Sequence, residues 1–343
     1  MKKLFFLSIL AVGALASCSK SEVVDASFDN AIKFENYLGR DAQTKAAVIE
    51  KEDLEHVLVN AWLHPAEETP TVDNFEANFM NAVEVNMEGK YSPIKYWPNE
   101  LQKVSFVAWV PVTNATVAGA ELTFAVPADD VKKQTDLIVA GSQLNRNNDG
   151  TVNLNFQHLL SRIGFEITGS NIPEDTTKEG ENGTTETVPA ENVVKLTSVV
   201  LNGDFAANGT VDMTAATPVI KAPKESDAYV LGTKSYTLTG NNFGLVENRI
   251  LNDTYTTAST DSYIMLIPDG NAPKSITVTY QIVTAGSTTP ITNTATFELT
   301  EAYEAGMAYK YIFTIKLNAI DFKVEVAKWE DAEDVTINPT PNA

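Results

Sequence analysis

Apolar residues recur at every second position along much of this chain. Ile163, Phe165 and Ile167 alternate with small or polar residues, and Ile276, Val278, Tyr280 and Ile282 alternate with Thr277, Thr279 and Gln281. Tyr311, Phe313, Ile315 and Leu317 repeat the pattern, followed by Ile320, Phe322, Val324 and Val326. Period two places one face of each segment in a core and the other in water, so each is predicted as a β-strand. Val104-Ser105-Phe106-Val107-Ala108-Trp109-Val110 is nearly all apolar and suits a central strand of a sandwich. Gly, Asn, Asp and Pro punctuate these runs. Many short strands separated by turns argue for β-sandwiches rather than βαβ units. Helix is expected only as turns, at residues 53–63 and 127–133. The predicted class is mostly β, with few short helices.

Asn145-Arg146-Asn147-Asn148-Asp149-Gly150 is a polar turn cluster, and a new strand begins at Thr151. A domain boundary is therefore expected between about 150 and 165, dividing an N-terminal domain, 46–155, from a C-terminal domain, 156–343. Residues 173–189 form a long polar stretch too poor in apolar residues to hold a fixed shape, and a mobile surface loop is predicted there. Pro339 and Pro341 make the last residues extended.

The beginning of the chain carries an address. Lys2 and Lys3 precede an apolar run over residues 4–15, which closes with Leu15-Ala16-Ser17-Cys18. The run is too short to cross a hydrocarbon layer of about 30 Å, so residues 1–17 read as a signal peptide. The closing residues resemble the lipobox of bacterial lipoproteins, which implies lipidation of Cys18 and attachment to the outer membrane through that lipid. An ordinary secretory signal also fits, but the chain's one cysteine stands where a lipobox needs it. Ser19-Lys20-Ser21-Glu22 loosely resembles the signal that sends some Bacteroidota lipoproteins to the cell surface.

Composition narrows the function. With 343 residues and 43% hydrophobic content, the chain has material for two packed domains. Its formal charge of −20 makes nucleic acid a poor partner, because the long-range field repels phosphate. A single cysteine excludes a disulfide framework within the chain and a cysteine-based zinc cluster.

Candidate chemistry is sparse. His56, His64 and His158 have no recognisable metal-ligand spacing and read as ordinary imidazoles. No nucleophile elbow, P-loop, dinucleotide fingerprint or zinc-protease motif occurs. The carboxylates are abundant but scattered. No catalytic, cofactor-binding or metal-binding residue is assigned, and an enzyme is not expected. Asn145, Asn147 and Asp149 mimic half a calcium loop, but Phe156 stands where the bidentate Glu belongs, and a turn built on Asp149-Gly150 explains the same residues. Asp175-Thr176-Thr177 resembles an O-glycosylation acceptor. Tyr91, Tyr96 and Trp97 are candidate aromatic platforms, with burial the commoner fate of such residues.

The two ends of the exported chain are more informative. Phe28, Ile32, Phe34 and Leu38 form a partly alternating set predicted as a first strand, within a removable segment spanning 18–45. Directly after it, Arg40 and Lys45 offer trypsin-like sites among small and flexible residues. At the other end, Val324, Val326 and Trp329 lead into an acidic run. Val335 and Ile337 then give a terminal segment of strand character with no obvious partner.

Several ordered pieces carry a family resemblance. They are the lipobox at Cys18; Thr44-Lys45-Ala46; Tyr96-Trp97-Pro98 before the 104–110 strand; Phe156-Gln157-His158-Leu159-Leu160-Ser161-Arg162-Ile163-Gly164-Phe165; and Tyr303-x-x-Gly306-x-x-Tyr309-x-Tyr311-x-Phe313 through to Trp329. In this layout the chain resembles the fimbrillins, subunits of type V pili in Bacteroidales, and the related surface lipoproteins.

The resemblance implies two tandem β-sandwich domains of transthyretin-like, Greek-key type, and export as a lipoprotein. It further implies removal of the N-terminal segment by a trypsin-like protease, and polymerisation as a neighbouring subunit's strand enters the vacated groove. The displaced set would be Ile32, Phe34 and Leu38. The donor set would come from Val324, Val326, Trp329, Val335 and Ile337, with the tail at about 330–343; Val324 and Val326 fit pairing within their own domain equally well. The partners implied are other copies or related pilins, the protease, the outer membrane, and a host or bacterial receptor. Fimbrillins carry an arginine before the cut, whereas here Lys45 fits best and Arg40 lies five residues earlier, so the cleaved bond stays open. Val335-Thr336-Ile337 points to a stalk role. The alternatives are a pilus anchor or tip, or a non-polymerising surface lipoprotein that binds glycan or host protein.

Overall fold

The computed structural model describes residues 30–38, 55–127, 131–146, 150–169, 176–180, 183–188, 192–221, 232–239, 254–256, 263–268, 275–284, 287–316, 320–328 and 335–337. Among these residues the fold is strands joined by turns, with one short 3-10 turn at Val131–Lys133. That turn falls inside the second segment expected to be helical. The first such segment is instead strand.

The first half opens with β1 (Lys33–Leu38), β2 (His56–Pro65), β3 (Met80–Asn86) and β4 (Gln102–Trp109). After β5 (Ala115–Ala118) and β6 (Glu121–Ala125), the chain returns through β7 (Ile138–Ala140), β8 (Gln143–Arg146) and β9 (Thr151–His158). A seven-stranded sheet runs in the order β1-β9-β7-β4-β2-β3, with β8 also paired to β4. One face encloses a first core around Val57, Val59, Phe106, Ile138, Leu154 and Phe156. The other face contributes Trp62, Val107, Trp109 and Val139 to a different core. Burial on both faces explains why β2 and β4 read as continuous apolar runs. In β2 it also hides the period of two, so sequence pattern alone does not separate strand from helix there.

The second half holds β10 (Ser161–Gly169), the exposed hairpin β11 (Thr176–Glu179) and β12 (Thr185–Val188), β13 (Asn192–Phe205), β14 (Asn208–Asp212) and β15 (Val219–Lys221). It continues with β16 (Gly232–Thr239), β17 (Thr254–Thr256), β18 (Ile264–Leu266), β19 (Ser275–Thr284), β20 (Ile291–Glu298), β21 (Met307–Ile315), β22 (Ile320–Lys328) and β23 (Val335–Ile337). One sheet runs β17-β10-β21-β22-β23, with β10 parallel to β21, and another runs β16-β13-β19-β20. Their inner faces meet in a core that includes Phe165, Tyr236, Val278, Tyr311 and Phe313, which is a β-sandwich. The polar 173–189 stretch, expected as a loop, contains the β11–β12 hairpin. Its described residues gain β-structure from threonine-rich backbone pairing and a Lys178–Glu186 ion pair of 3.2 Å, without a buried face.

Strands of the two halves also pair with each other. β5 and β6 pair with β14 and β15 in a four-stranded sheet, β15-β14-β6-β5, and five register pairs join β6 to β14. Beneath it lies the mixed core, where Leu122 and Phe124 meet Val211, Met213, Met265 and Ile267. β9 runs to His158, and Leu159 and Leu160, which follow it, are buried.

Candidate functional site

Alternation places β1. Lys33 and Glu35 face solvent, whereas Ile32 and Phe34 are 2% and 4% exposed in the first core. β1 runs parallel to β9, from Lys33 opposite Thr151 to Leu38 opposite Phe156. The residues that lead into it are held on the other flank by the chain between β3 and β4. Ile32 N donates to Lys95 O at 2.9 Å, Trp97 N donates to Asn30 O at 3.0 Å, and Ala31 bridges Tyr96. The segment is therefore bound to β9 along its length and, at residues 30–32 just before β1, to residues 95–97 on the other flank.

Aromatic rings line the groove that holds it. Phe34 meets Tyr91 edge-on at 5.2 Å and Phe106 at 5.6 Å, and Trp97 meets Phe106 at 5.9 Å. The Tyr91 hydroxyl donates to Ile32 O at 2.9 Å and accepts from Lys95 N at 3.2 Å. Burial pushes this phenol above its ordinary pKa, with the Lys95 backbone bond opposing. Gly89, at φ +77°, lets the turn after β3 close on β1: a Cβ there would lie 2.2 Å from Phe34 O. Ile32 and Phe34 together contribute on the order of 3–6 kcal/mol of side-chain burial. Removing β1 would open an apolar trough floored by Val152, Leu154 and Phe106, with one row of backbone groups on β9 unpaired.

The C-terminal residues lie on another sheet. Val324 is buried in the second core and Val326 packs half-buried against it, both on β22, which pairs with β21 along its length. Val335 and Ile337 belong to β23, which lies antiparallel on β22 with Val326 opposite Val335 and Val324 opposite Ile337. The structure thus brings Ile32 and Phe34 together in one core and Val324, Val326, Val335 and Ile337 together in one sheet, and it joins the two sets nowhere among the described residues. Cys18, Arg40, Lys45 and Trp329 lie outside the described residues, as does the side chain of Leu38.

Other candidates resolve into packing. His158 Nδ1 pairs with Asp136 Oδ2 at 2.7 Å, both groups buried. His64 Nε2 meets Ser105 Oγ at 2.9 Å. Of the aromatic trio, Tyr96 is exposed, but Tyr91 and Trp97 are buried against β1 and form no outward platform. Of the cluster at 145–150, Asn145 and Arg146 end β8 and Gly150 stands before β9 at φ +92°, while Asn147, Asn148 and Asp149 lie outside the described residues. Among the described residues no group of three or more His, Cys, Asp or Glu is placed to hold a metal ion, and no helix is long and apolar enough to cross a membrane. Sequence reasoning missed Gly89 and the Lys95 carbonyl as parts of the groove. Neither has a signature of its own, because their role follows from where β1 lies.

The sequence matches the family model described as fimbrillin-like over residues 44–329. The chain belongs to the fimbrillin-like family. No curated protein matches the sequence. Among solved structures, this fimbrillin-like chain is similar to a candidate cell adhesion protein from Bacteroides uniformis, with 14% identity, coverage of 88% of this chain and 99% of that one, and a TM-score of 0.50. A fimbrial assembly protein from Parabacteroides distasonis matches at 14% identity over 90% of this chain and 100% of its own, with a TM-score of 0.38. The tip fimbrial protein Mfa3 from Porphyromonas gingivalis, with a C-terminal truncation, matches at 10% identity over 83% and 97%, with a TM-score of 0.37.

Proposed function

We propose that this fimbrillin-like chain is a structural subunit of a type V pilus serving adhesion at the cell surface. In this reading it is exported as a lipoprotein through Cys18 and cut by a trypsin-like protease after Lys45 or Arg40. It then polymerises when another copy's C-terminal segment fills the groove left by β1. The observation that carries the reading is the placement of β1. Its apolar side chains complete the first core, yet the polar residues at 39–47 follow it directly, so one cut separates it from the rest of the fold. Strand addition would restore both the ladder and the core.

The pairing of β23 with β22 favours a second reading, in which the tail stays on its own sheet and the subunit serves as an anchor or tip, or as a non-polymerising surface lipoprotein. That pairing is three residues long, small enough to be exchanged for a longer one. The assay treats full-length protein with trypsin, sequences the new N-terminus by mass spectrometry, and images the product by electron microscopy. Filaments starting from Ala46 or Asp41, and none from a variant truncated after Trp329, are expected. Trimmed protein that remains a monodisperse monomer at high concentration overturns the polymerising role.

A further inference from the structure

A cleft of about 650 Å³ opens at the end of β9, a volume in the range of ligand-binding clefts. Leu159, Pro218, Ile220 and Met307 give it apolar walls, and Val219 beside them is 58% exposed. Glu304 also lines it, exposed, and no ion pair engages its carboxylate among the described residues. Glu301 adds to this charge: burial pushes the Tyr309 phenol up, and both carboxylates push it the same way. Nearby partners are already taken, Lys221 by Asp212 at 2.8 Å and the His158 ring by Asp136 at 2.7 Å. An apolar cleft with an unanswered acidic rim suits a ligand with an apolar body and a positive head.

The chain carries such a segment. A cut after Lys45 creates the terminus Ala46-Ala47-Val48-Ile49, apolar residues headed by an ammonium that the uncut chain lacks. Both attachment points of the residues between β1 and β2 lie at the cleft's end of the sheet. β1 runs parallel to β9 and ends with Leu38 opposite Phe156. Leu58, Trp109, Val139 and Gln157 stand in one row across β2, β4, β7 and β9, with each strand antiparallel to the next. His56, where β2 begins, is therefore level with Leu159, three strand spacings or roughly 14 Å away. Residues 46–55 can span up to roughly 33 Å, so the freed end reaches the cleft of its own molecule.

We propose that the N-terminus freed by the cut, Ala46-Ala47-Val48-Ile49, docks in this cleft, its ammonium pairing with Glu304 and the apolar residues behind it covering Leu159, Ile220 and Met307. The inference rests on the trimming described above and names the bond. A cut after Arg40 would put Asp41 at the head of the segment, and Glu304 would repel its carboxylate. Docking makes the cut a switch. Before it, position 46 has no charge to offer Glu304; after it, the pairing holds the apolar end clear of the groove that β1 vacates.

The first arm of the test uses untrimmed, isotope-labelled protein and a synthetic peptide of residues 46–51 with a free α-amine and an amidated end. The amide resonances of Leu159, Ile220 and Gly306 are expected to shift saturably. The N-acetylated peptide, or the free-amine peptide with Glu304→Gln protein, should bind about tenfold more weakly, the worth of one charge-assisted hydrogen bond. The second arm trims the protein with trypsin and follows acetylation of the new α-amine by mass spectrometry, which reads equally well in monomers and filaments. Labelling at Ala46 should be about tenfold slower in the parent than in Glu304→Gln. Equal binding of the two peptides, no shift at these amides, or equal labelling rates overturns the proposal and leaves the trimming reading intact. Protein that trypsin never cuts after Lys45 overturns the trimming reading, while the peptide arm still decides whether the cleft takes this terminus.

Discussion

Phe34→Ala tests whether β1 is held by its side chains or by its backbone ladder. Phe34 is buried between Tyr91 and Phe106, each ring meeting it edge-on. Truncation of a buried Phe costs about 3–5 kcal/mol, from lost transfer energy and the cavity left behind. At 1.4 kcal/mol per decade, the undocked population of β1 should rise by roughly two to three and a half decades. Native-state hydrogen exchange reads this directly. The amides of Ile32 and Trp97, which bond where the chain enters β1, should lose protection by that factor. Those of β13 and β19 in the second core should not. Glu35→Ala on the solvent face serves as the control, with an effect within about 0.5 kcal/mol. Unchanged protection at Ile32 and Trp97 in Phe34→Ala, or an equal loss in Glu35→Ala, refutes the idea that apolar burial retains the strand.

Further outcomes follow from the same geometry. Gly89→Ala places a Cβ against the Phe34 carbonyl in a left-handed backbone conformation, so β1 and the turn must part; a loss of more than about 1 kcal/mol in denaturant unfolding is expected. Asn60→Ala strands the amide of Ala82 and the carbonyl of Gly119, which its side chain joins at 2.7 Å each; equilibrium unfolding should show a cost of about 2 kcal/mol or more. Burial raises the phenol pKa values of Tyr236, Tyr303 and Tyr311 in the folded chain. The unfolded chain then loses these protons first, near pH 10, so stability present below about pH 10 declines as pH rises further. Melting temperatures should fall steeply above that pH, and less so in Tyr236→Phe.

Legibility in the sequence followed burial. Strands with one wetter face announce themselves: the alternation at 276–282 and 320–326 lies within β19 and β22. Strands dry on both faces do not, and β2 passes for helix because Val57, Val59 and Ala61 serve one core while Trp62 serves another. Ile32 and Phe34 were identifiable from spacing alone, since a strand that completes a core must alternate. The clasp made by Gly89, Tyr91 and Lys95 was not. Tyr91 looks like a surface aromatic until β1 lies over it, and a backbone carbonyl leaves no mark in the residue pattern. The β6–β14 pairing was hidden for a related reason: its partners are some ninety positions apart, and strand pattern specifies a face but not a neighbour.

That cross-paired sheet has a mechanical consequence. A joint made of a bare linker would let the two lobes swivel, and a string of such subunits would be floppy. Here a swivel must shear five ladder rungs and tear the hydrophobic layer beneath them. Each subunit therefore behaves as a stiff strut, and any compliance in an assembly of them resides at the joins between molecules.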